Sequence, residues 1–138
     1  MTNWIFYSLI ALFFWGLWGF CVKVASRSIT PGSLVILSTL GSLSVFPIYL
    51  ALFARHLKFQ WQHSDYYMAL AGGMAGAVGG LFFYFAISKG EASRVEMITA
   101  LYPMITVILA GFFLNEALTV TKIAGIVCAI VAMILLTQ

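Results

Sequence analysis

Long apolar runs alternate with short polar connections along the chain, and this pattern predicts five membrane-spanning helices. A helix needs about 20 apolar residues to cross the hydrocarbon core of a bilayer. The predicted helices cover about residues 4–25, 34–53, 67–88, 95–114 and 120–136. Backbone polar groups in lipid must be hydrogen-bonded within the protein, and alternating segments of about ten residues, which spanning strands require, are absent. The pattern therefore indicates an all-α integral membrane protein with one membrane domain, residues 1–138.

Local signals refine these boundaries. Thr30 suits the N-cap of the second helix and Pro31 its first position. Pro47 and Pro103 lie inside the second and fourth helices, where each removes a backbone hydrogen bond and predicts a bend. The connection over residues 54–66 is longer than a tight turn, but it is too short for a soluble domain.

The stretch SKGEASRVEMITALYP, residues 88–103, places four charged residues between two apolar runs. Lys89 suits the last turn of the third helix, and Gly90 suits the position that follows it. Ser93 and Glu96 have the S-x-x-E spacing of a capping box, with Ser93 as the N-cap of the fourth helix. The stretch therefore predicts a tight helical hairpin whose remaining charges are solvated.

Composition supports a lipid environment. Hydrophobic residues make up 63% of the chain and charged residues only 8%, whereas a soluble domain carries about 25% charged residues. The first apolar run lacks the basic region and small-residue cleavage site of a signal peptide, so we expect a retained helix. The net charge of +3 is spread over several loops and does not indicate nucleic-acid binding.

The chain offers little enzyme chemistry. Cys21 and Cys128 fall inside apolar runs and are interpreted as small hydrophobic residues. His56 and His63 share a polar loop with Asp65, but their spacing matches no metal pattern. No phosphate-binding loop or Ser/His/Asp set is present, so the sequence predicts a protein that is not an enzyme and has no cofactor or metal.

Lysine and arginine are almost evenly divided between the two sides of a five-helix topology. The side that holds the N-terminus carries Arg55, Lys58 and Lys122, and the opposite side carries Lys23, Arg27, Lys89 and Arg94. The positive-inside rule therefore does not choose an orientation. Either weaker signals select one orientation, or the chain inserts both ways round.

Two groups of residues in the helices stand out. Gly72, Gly76 and Gly80 form a small-residue stripe on the third helix, which suits close helix packing within or between subunits and also a hinge. Trp15 and Trp18 lie near the middle of the first helix, far from the interface where tryptophan is usual. They pack in a core or wall a substrate cavity, for which Tyr84 and Tyr102 are further candidates.

The segment from Gly79 onward, GGLFFYFAISKGEASRVEMITALYPMITVILAGFFLNEALTVTKIAGIVCAIVAMILL, resembles the C-terminal part of an EamA domain, the building block of the drug/metabolite transporter superfamily. The residues that match its pattern are Ala86, Ala92, Pro103, Glu116, Gly125 and Ile126, while Ala132 replaces a family glycine. The first helix is similar too, through Trp15, Gly16 and Lys23.

This resemblance implies a transporter built from inverted repeats. Members of the family usually have ten helices, arranged as two five-helix repeats of opposite topology around a cavity near the midplane, and this chain resembles one repeat. The implied partner is an inverted copy of the same chain in an antiparallel homodimer, which agrees with the balanced charges. The implied function is secondary transport or facilitated export of a small organic metabolite or drug across a prokaryotic plasma membrane.

Two other functions are compatible with the sequence: a subunit that pairs with a different half-length protein, and a membrane assembly protein that transports nothing. Asp65, Glu91, Glu96 and Glu116 all lie away from mid-span, and the first helix has no acidic residue. These positions argue against an antiporter of the small four-helix type, and leave uncoupled facilitation or coupling through Glu96 or Lys23. Lys23 and Glu96 lie on the same predicted side, where they are candidates for an ion-pair gate.

Overall fold

The computed structural model describes residues 3–57 and 64–138, and all of the regular structure in these two ranges is helical. The helices are α1 (Asn3–Ala25), α2 (Pro31–Ser44), α3 (Phe46–Phe53), α4 (Ser64–Lys89), α5 (Ala92–Thr99), α6 (Tyr102–Phe113) and α7 (Val120–Leu136), and a short 3-10 turn (Ala54–His56) follows α3. The predicted all-α membrane fold is confirmed. Part of the predicted connection over 54–66 lies outside the described residues.

Four stretches of the described chain are long and apolar enough to cross a membrane: Trp4–Ala25, Pro31–His56, Ser64–Lys89 and Ala92–Phe113. The shorter apolar helix α7 has 17 residues, which is at the lower limit for a crossing. The second and fourth spans each contain two helices. The described residues therefore contain four candidate membrane spans and one shorter apolar helix.

Proline interrupts the second and fourth spans. Helix α2 ends at Ser44 and α3 begins at Phe46, which places Pro47 in the first turn of α3. In the fourth span, α5 ends at Thr99 and α6 begins at Tyr102, just before Pro103. Because proline has no N–H, the carbonyl four residues earlier loses its usual donor. The predicted bends are therefore breaks of one or two residues.

Side-chain caps begin α2 and α7. The hydroxyl group of Thr30 accepts a hydrogen bond from the backbone N–H of Ser33, and Pro31 occupies the first turn, as predicted. Thr119 accepts in the same way from the N–H of Lys122. Each cap satisfies one of the N–H groups that a helix leaves without an internal partner.

The capping box predicted for the fourth span is wrong. The N-cap of α5 is Glu91, without a side-chain cap hydrogen bond, so Ser93 lies inside the first turn. Glu96 consequently lies two residues deeper in the helix than a capping box requires, and its carboxylate lies against Gly19 instead. The S-x-x-E spacing misled because the helix begins earlier than the pattern suggests.

The chain divides into two compact units, one formed by Phe20–Ser88 and the other by Met1–Gly19 with Lys89–Gln138. The buried residues of the first unit lie near helix ends: Val22 near the end of α1, Leu34 in the first turns of α2, and Phe83, Tyr84 and Ile87 in the last turns of α4. In the second unit, Val95 of α5 is buried, and α5 contacts α7. Most other apolar side chains are exposed, as expected where lipid is the solvent.

Replacing Ile87 by alanine should lower the free energy of unfolding by about 2 kcal/mol, the low end of the range for a buried isoleucine. In lipid the transfer of an apolar side chain from water contributes nothing, so only the loss of packing contacts remains. Ile87 is completely buried, whereas Ile48 is 56% exposed. Ile48→Ala is therefore the matched control and should change stability little. Unfolding in mixed micelles with increasing denaturing detergent measures both. Equal effects would show that the end of α4 is not a packed core.

Candidate functional site

The two tryptophans of α1 present large aromatic surfaces. Trp15 is 61% exposed and Trp18 is 40% exposed. At i and i+3 on one continuous helix, they lie on the same side of α1. Tyr102, at the start of α6, is also exposed. These three predicted wall residues therefore offer surface to a ligand, to lipid or to another chain.

Tyr84 has different surroundings from the other candidates. Its side chain is almost completely buried in the last turns of α4, with its ring edge-on to that of Phe83 at a centroid distance of 6.1 Å. Tyr84 thus contributes to packing at the end of α4.

The glycine stripe of α4 is open in this chain. A Cβ atom added to Gly72 or Gly76 would meet no atom within 4 Å, and one added to Gly80 would meet only the ring of Tyr84, at 3.8 Å. Helix α4 itself runs without interruption from Ser64 to Lys89. The described residues therefore provide no close helix neighbour along this stripe, and packing there requires another chain.

Lys23 connects the end of α1 to the end of α4. Its ammonium group donates a hydrogen bond of 2.9 Å to the carbonyl oxygen of Ile87. Ile87 lies in the last turn of α4, where carbonyl groups lack helical donors and the helix dipole is negative. A cation is favourable at this position, so Lys23 acts as a side-chain cap for α4.

Glu96 makes a close contact within the unit formed by Met1–Gly19 and Lys89–Gln138. Its carboxylate lies against Gly19 of α1, so that a Cβ atom added to Gly19 would overlap a carboxylate oxygen and lie 2.9 Å from Cδ. The Oε1 atom is buried and has no hydrogen-bond partner. The carbonyl oxygens of Val95 and Glu96 both accept from the Thr99 hydroxyl group, which leaves that hydroxyl directed at the backbone.

The other acidic residues of the helical hairpin and the following loop are paired and exposed. Glu91, the N-cap of α5, forms an ion pair of 3.0 Å with Arg94 in the first turn of that helix. Arg94 also donates to the backbone oxygen of Gln138. Glu116 pairs with Lys122 at 3.5 Å, after Asn115 has adopted the left-handed conformation (φ 54°) that ends α6. Exposed pairs of this kind contribute about 0–1 kcal/mol and do not constitute a site.

Within residues 3–57 and 64–138, no cluster of three or more His, Cys, Asp or Glu residues could hold a metal ion. Cys21 and Cys128 are free thiols.

Two contacts could not be predicted from the sequence: the contact between Gly19 and Glu96, and the hydrogen bond from Lys23 to the carbonyl oxygen of Ile87. Sequence reasoning missed Gly19 and the Ile87 carbonyl, since neither has a side-chain signal.

Two known proteins are similar in sequence to part of this chain. The chain is 43% identical over 60 residues to an uncharacterized protein of Methanocaldococcus jannaschii, over 44% of each chain. It is 36% identical over 59 residues to the uncharacterized transporter YvbV of Bacillus subtilis, over 43% of this chain and 19% of that protein. The matched regions cover less than half of these relatives. No solved structure gives a significant match.

A further comparison covers almost the whole chain. The sequence profile of the EamA-like transporter family matches residues 2–138, which includes every helix from α1 to α7. The match extends well beyond the region shared with the two relatives. The chain therefore belongs to the EamA-like transporter family of integral membrane proteins.

Proposed function

We propose that this protein transports small organic metabolites or drugs, by secondary transport or facilitated export, as an antiparallel dual-topology homodimer in a prokaryotic plasma membrane. Membership of the EamA-like transporter family supports membrane transport in general. The Bacillus subtilis relative is itself named as a transporter. The bacterial and archaeal relatives support a prokaryotic membrane. The substrate class and the homodimer are proposed from the surfaces of the helices and from the distribution of charge.

The exposure of the aromatic side chains on α1 and α6 carries the proposal. Trp15 is 61% exposed, Trp18 is 40% exposed and Tyr102 is 55% exposed, although aromatic rings with a polar tip favour the membrane interface over its middle. A second five-helix repeat facing them would turn this surface into the wall of a cavity. Stacking and apolar contacts would then select small organic molecules with an aromatic or aliphatic body.

Two observations support an inverted copy of the same chain as the second repeat. Lysine and arginine are balanced between the two sides, so neither orientation is favoured. The backbone along Gly72 and Gly76 of α4 is open to close approach by another helix. A homodimer with its twofold axis in the membrane plane would place identical surfaces against each other, as in an isologous interface.

Lys23 and Glu96 are proposed to form a gate at one end of this cavity. Lys23 donates to the Ile87 carbonyl at the end of α4, and Glu96 lies at the start of the fourth span. An ion pair between the two side chains would join the ends of the first and fourth spans and close the cavity there. Opening would then return Lys23 to its capping position on α4.

Reconstituted protein should catalyse flux of a panel of radiolabelled aromatic amino acids and aromatic amines into liposomes. Trp15→Ala should lower the initial rate roughly tenfold, which corresponds to about 1.4 kcal/mol and to the loss of one stacking surface. Trp4 is exposed to a similar degree, 64%, at the start of α1, so Trp4→Ala is the matched control and should leave the rate unchanged. Absence of flux across the panel, with protein incorporation verified, would favour the non-transporting assembly protein.

Dual topology should be visible by cysteine labelling. In a variant with Cys21 and Cys128 replaced by serine, Ser28→Cys should react with an impermeant maleimide from both sides of the membrane in similar proportions. Adding lysines at Ser26 and Ser28 should instead fix one orientation, because positive charge is retained on the cytoplasmic side.

Co-expression of two variants with opposite fixed orientations tests whether transport needs both orientations. A variant locked in one orientation should be inactive alone and active together with a variant locked in the other orientation by lysines in the loop before α7. A single orientation of the unmodified chain would contradict the homodimer and favour pairing with a different half-length protein.

The gate is tested by charge exchange. Lys23→Glu and Glu96→Lys should each lower flux roughly tenfold, because each leaves two like charges at the gate. The double variant should recover most of this loss. Charge exchange between Glu91 and Arg94, which form an exposed pair 3.0 Å apart, is the control and should have little effect in every combination. Because Lys23→Glu also removes the bond to the Ile87 carbonyl, circular dichroism should show that the double variant is folded. No recovery in a folded double variant would contradict the ion pair.

A further inference from the structure

Glu96 carries a carboxylate oxygen that nothing in its surroundings satisfies. The Oε1 atom is buried and accepts no hydrogen bond. Glu96 lies in the fifth position of α5, inside the span Ala92–Phe113. Acidic side chains within membrane spans are rare because an unpaired charge there is costly, and they commonly mark ion or proton pathways. This oxygen therefore lacks the proton, cation or hydrogen-bond donor that would stabilise it.

The contact with Gly19 limits the size of such a partner. The carboxylate lies so close to Gly19 that even a methyl group at this position would overlap it. Because Oε1 is buried, an organic ammonium ion does not reach it in this arrangement. A metal ion needs several oxygen ligands, and residues 3–57 and 64–138 contain no group of three His, Cys, Asp or Glu residues for one. A proton needs no additional space and removes the charge.

The other charged groups on the neighbouring elements have their own contacts. At the start of α5, Glu91 and Arg94 form an ion pair, and Arg94 also donates to the backbone oxygen of Gln138 beyond the end of α7. On α1, Lys23 lies one turn beyond Gly19 and donates to the Ile87 carbonyl. On α7, which contacts α5, Lys122 pairs with Glu116. Among these groups, Glu96 is distinguished by a buried oxygen without a hydrogen-bond partner.

We infer that the carboxyl group of Glu96 is the proton-binding site that couples proton movement to transport. The inference rests on the proposed transport function and names its coupling ion. With a proton bound, the neutral carboxyl group rests against Gly19 and joins α5 to α1. When the proton leaves to water, the carboxylate requires hydration, and the contact with Gly19 opens. The proton thus controls a contact between two spans.

Gly19 is the residue that positions the carboxyl group of Glu96 against α1. Only glycine leaves space for the carboxyl group at this point on α1, so Gly19→Ala should displace it. Gly16 lies one turn earlier on the same helix, and a Cβ atom added there meets nothing within 4 Å. Gly16→Ala is therefore a matched control, since it adds the same methyl group to α1 without touching Glu96.

Infrared spectroscopy of the full chain in liposomes tests the site without a transported substrate. The difference spectrum between acidic and alkaline buffer should contain the carbonyl band of a protonated carboxyl group that accepts no hydrogen bond, distinct from the bands of the solvated carboxyl groups. Glu96→Gln should remove this band, and Gly19→Ala should shift it to the position of a hydrated carboxyl group. Gly16→Ala should leave it unchanged.

The inference is overturned if the band is absent, if it survives Glu96→Gln, or if both glycine variants behave alike. Circular dichroism checks that each variant is folded. Glu96→Asp is a second variant, for use if Glu96→Gln fails to fold. It should keep a titratable band but shift it, because the shorter side chain reaches less far toward Gly19.

Flux measurements separate this inference from the proposed function. A gradient of one pH unit should drive about tenfold accumulation of a transported compound of the panel at one proton per molecule. In Glu96→Gln the ratio of initial rates with and without the gradient should fall to unity. Wild-type flux that ignores the gradient would overturn coupling while leaving transport intact. An infrared band without any flux would instead overturn the transport function and leave the proton site.

Discussion

The hydrogen bond from Lys23 to the Ile87 carbonyl organises the best-packed part of the molecule. A helix that ends in or near lipid leaves carbonyl groups without donors, and the ammonium group of a neighbouring helix satisfies one of them here. The bond ties the end of α1 to the end of α4. The buried residues of that unit also lie at these ends and in the first turns of α2. Packing in a solvent as apolar as lipid thus depends on a polar contact.

The same requirement for backbone partners explains the broken spans. Pro47 and Pro103 each remove one donor from a helix, and each break is confined to one or two residues at the start of the following helix. Thr30 and Thr119 supply side-chain acceptors where helices begin. Apolar composition determines which segments enter the membrane, whereas backbone hydrogen bonding determines where each helix starts, stops and bends.

The exposed aromatic and glycine surfaces and the unsatisfied carboxyl group together give the proposed transport cycle its physical form. In the proposed cycle the exposed rings of Trp15 and Trp18 would contact the organic molecule, and the open stripe on α4 would receive a second helix. Glu96 lies against Gly19 of α1, and the inferred coupling makes that contact depend on the charge of the carboxyl group. Because a charged carboxylate and a neutral carboxyl group favour different surroundings, proton binding can bias one arrangement of the spans over another without any large change in packing.

Much of this architecture was predictable from the sequence. Hydrophobic length predicted the spans, and Thr30, Pro47 and Pro103 marked a cap and two breaks, because these effects depend on chain-local geometry. The capping box at Ser93 failed because the start of α5 depends on its neighbours as well as on spacing. Only the tertiary structure brought Glu96 against Gly19 and Lys23 to the Ile87 carbonyl. These contacts join residues more than 60 positions apart, and a glycine or a backbone carbonyl has no side chain from which its partner could be predicted.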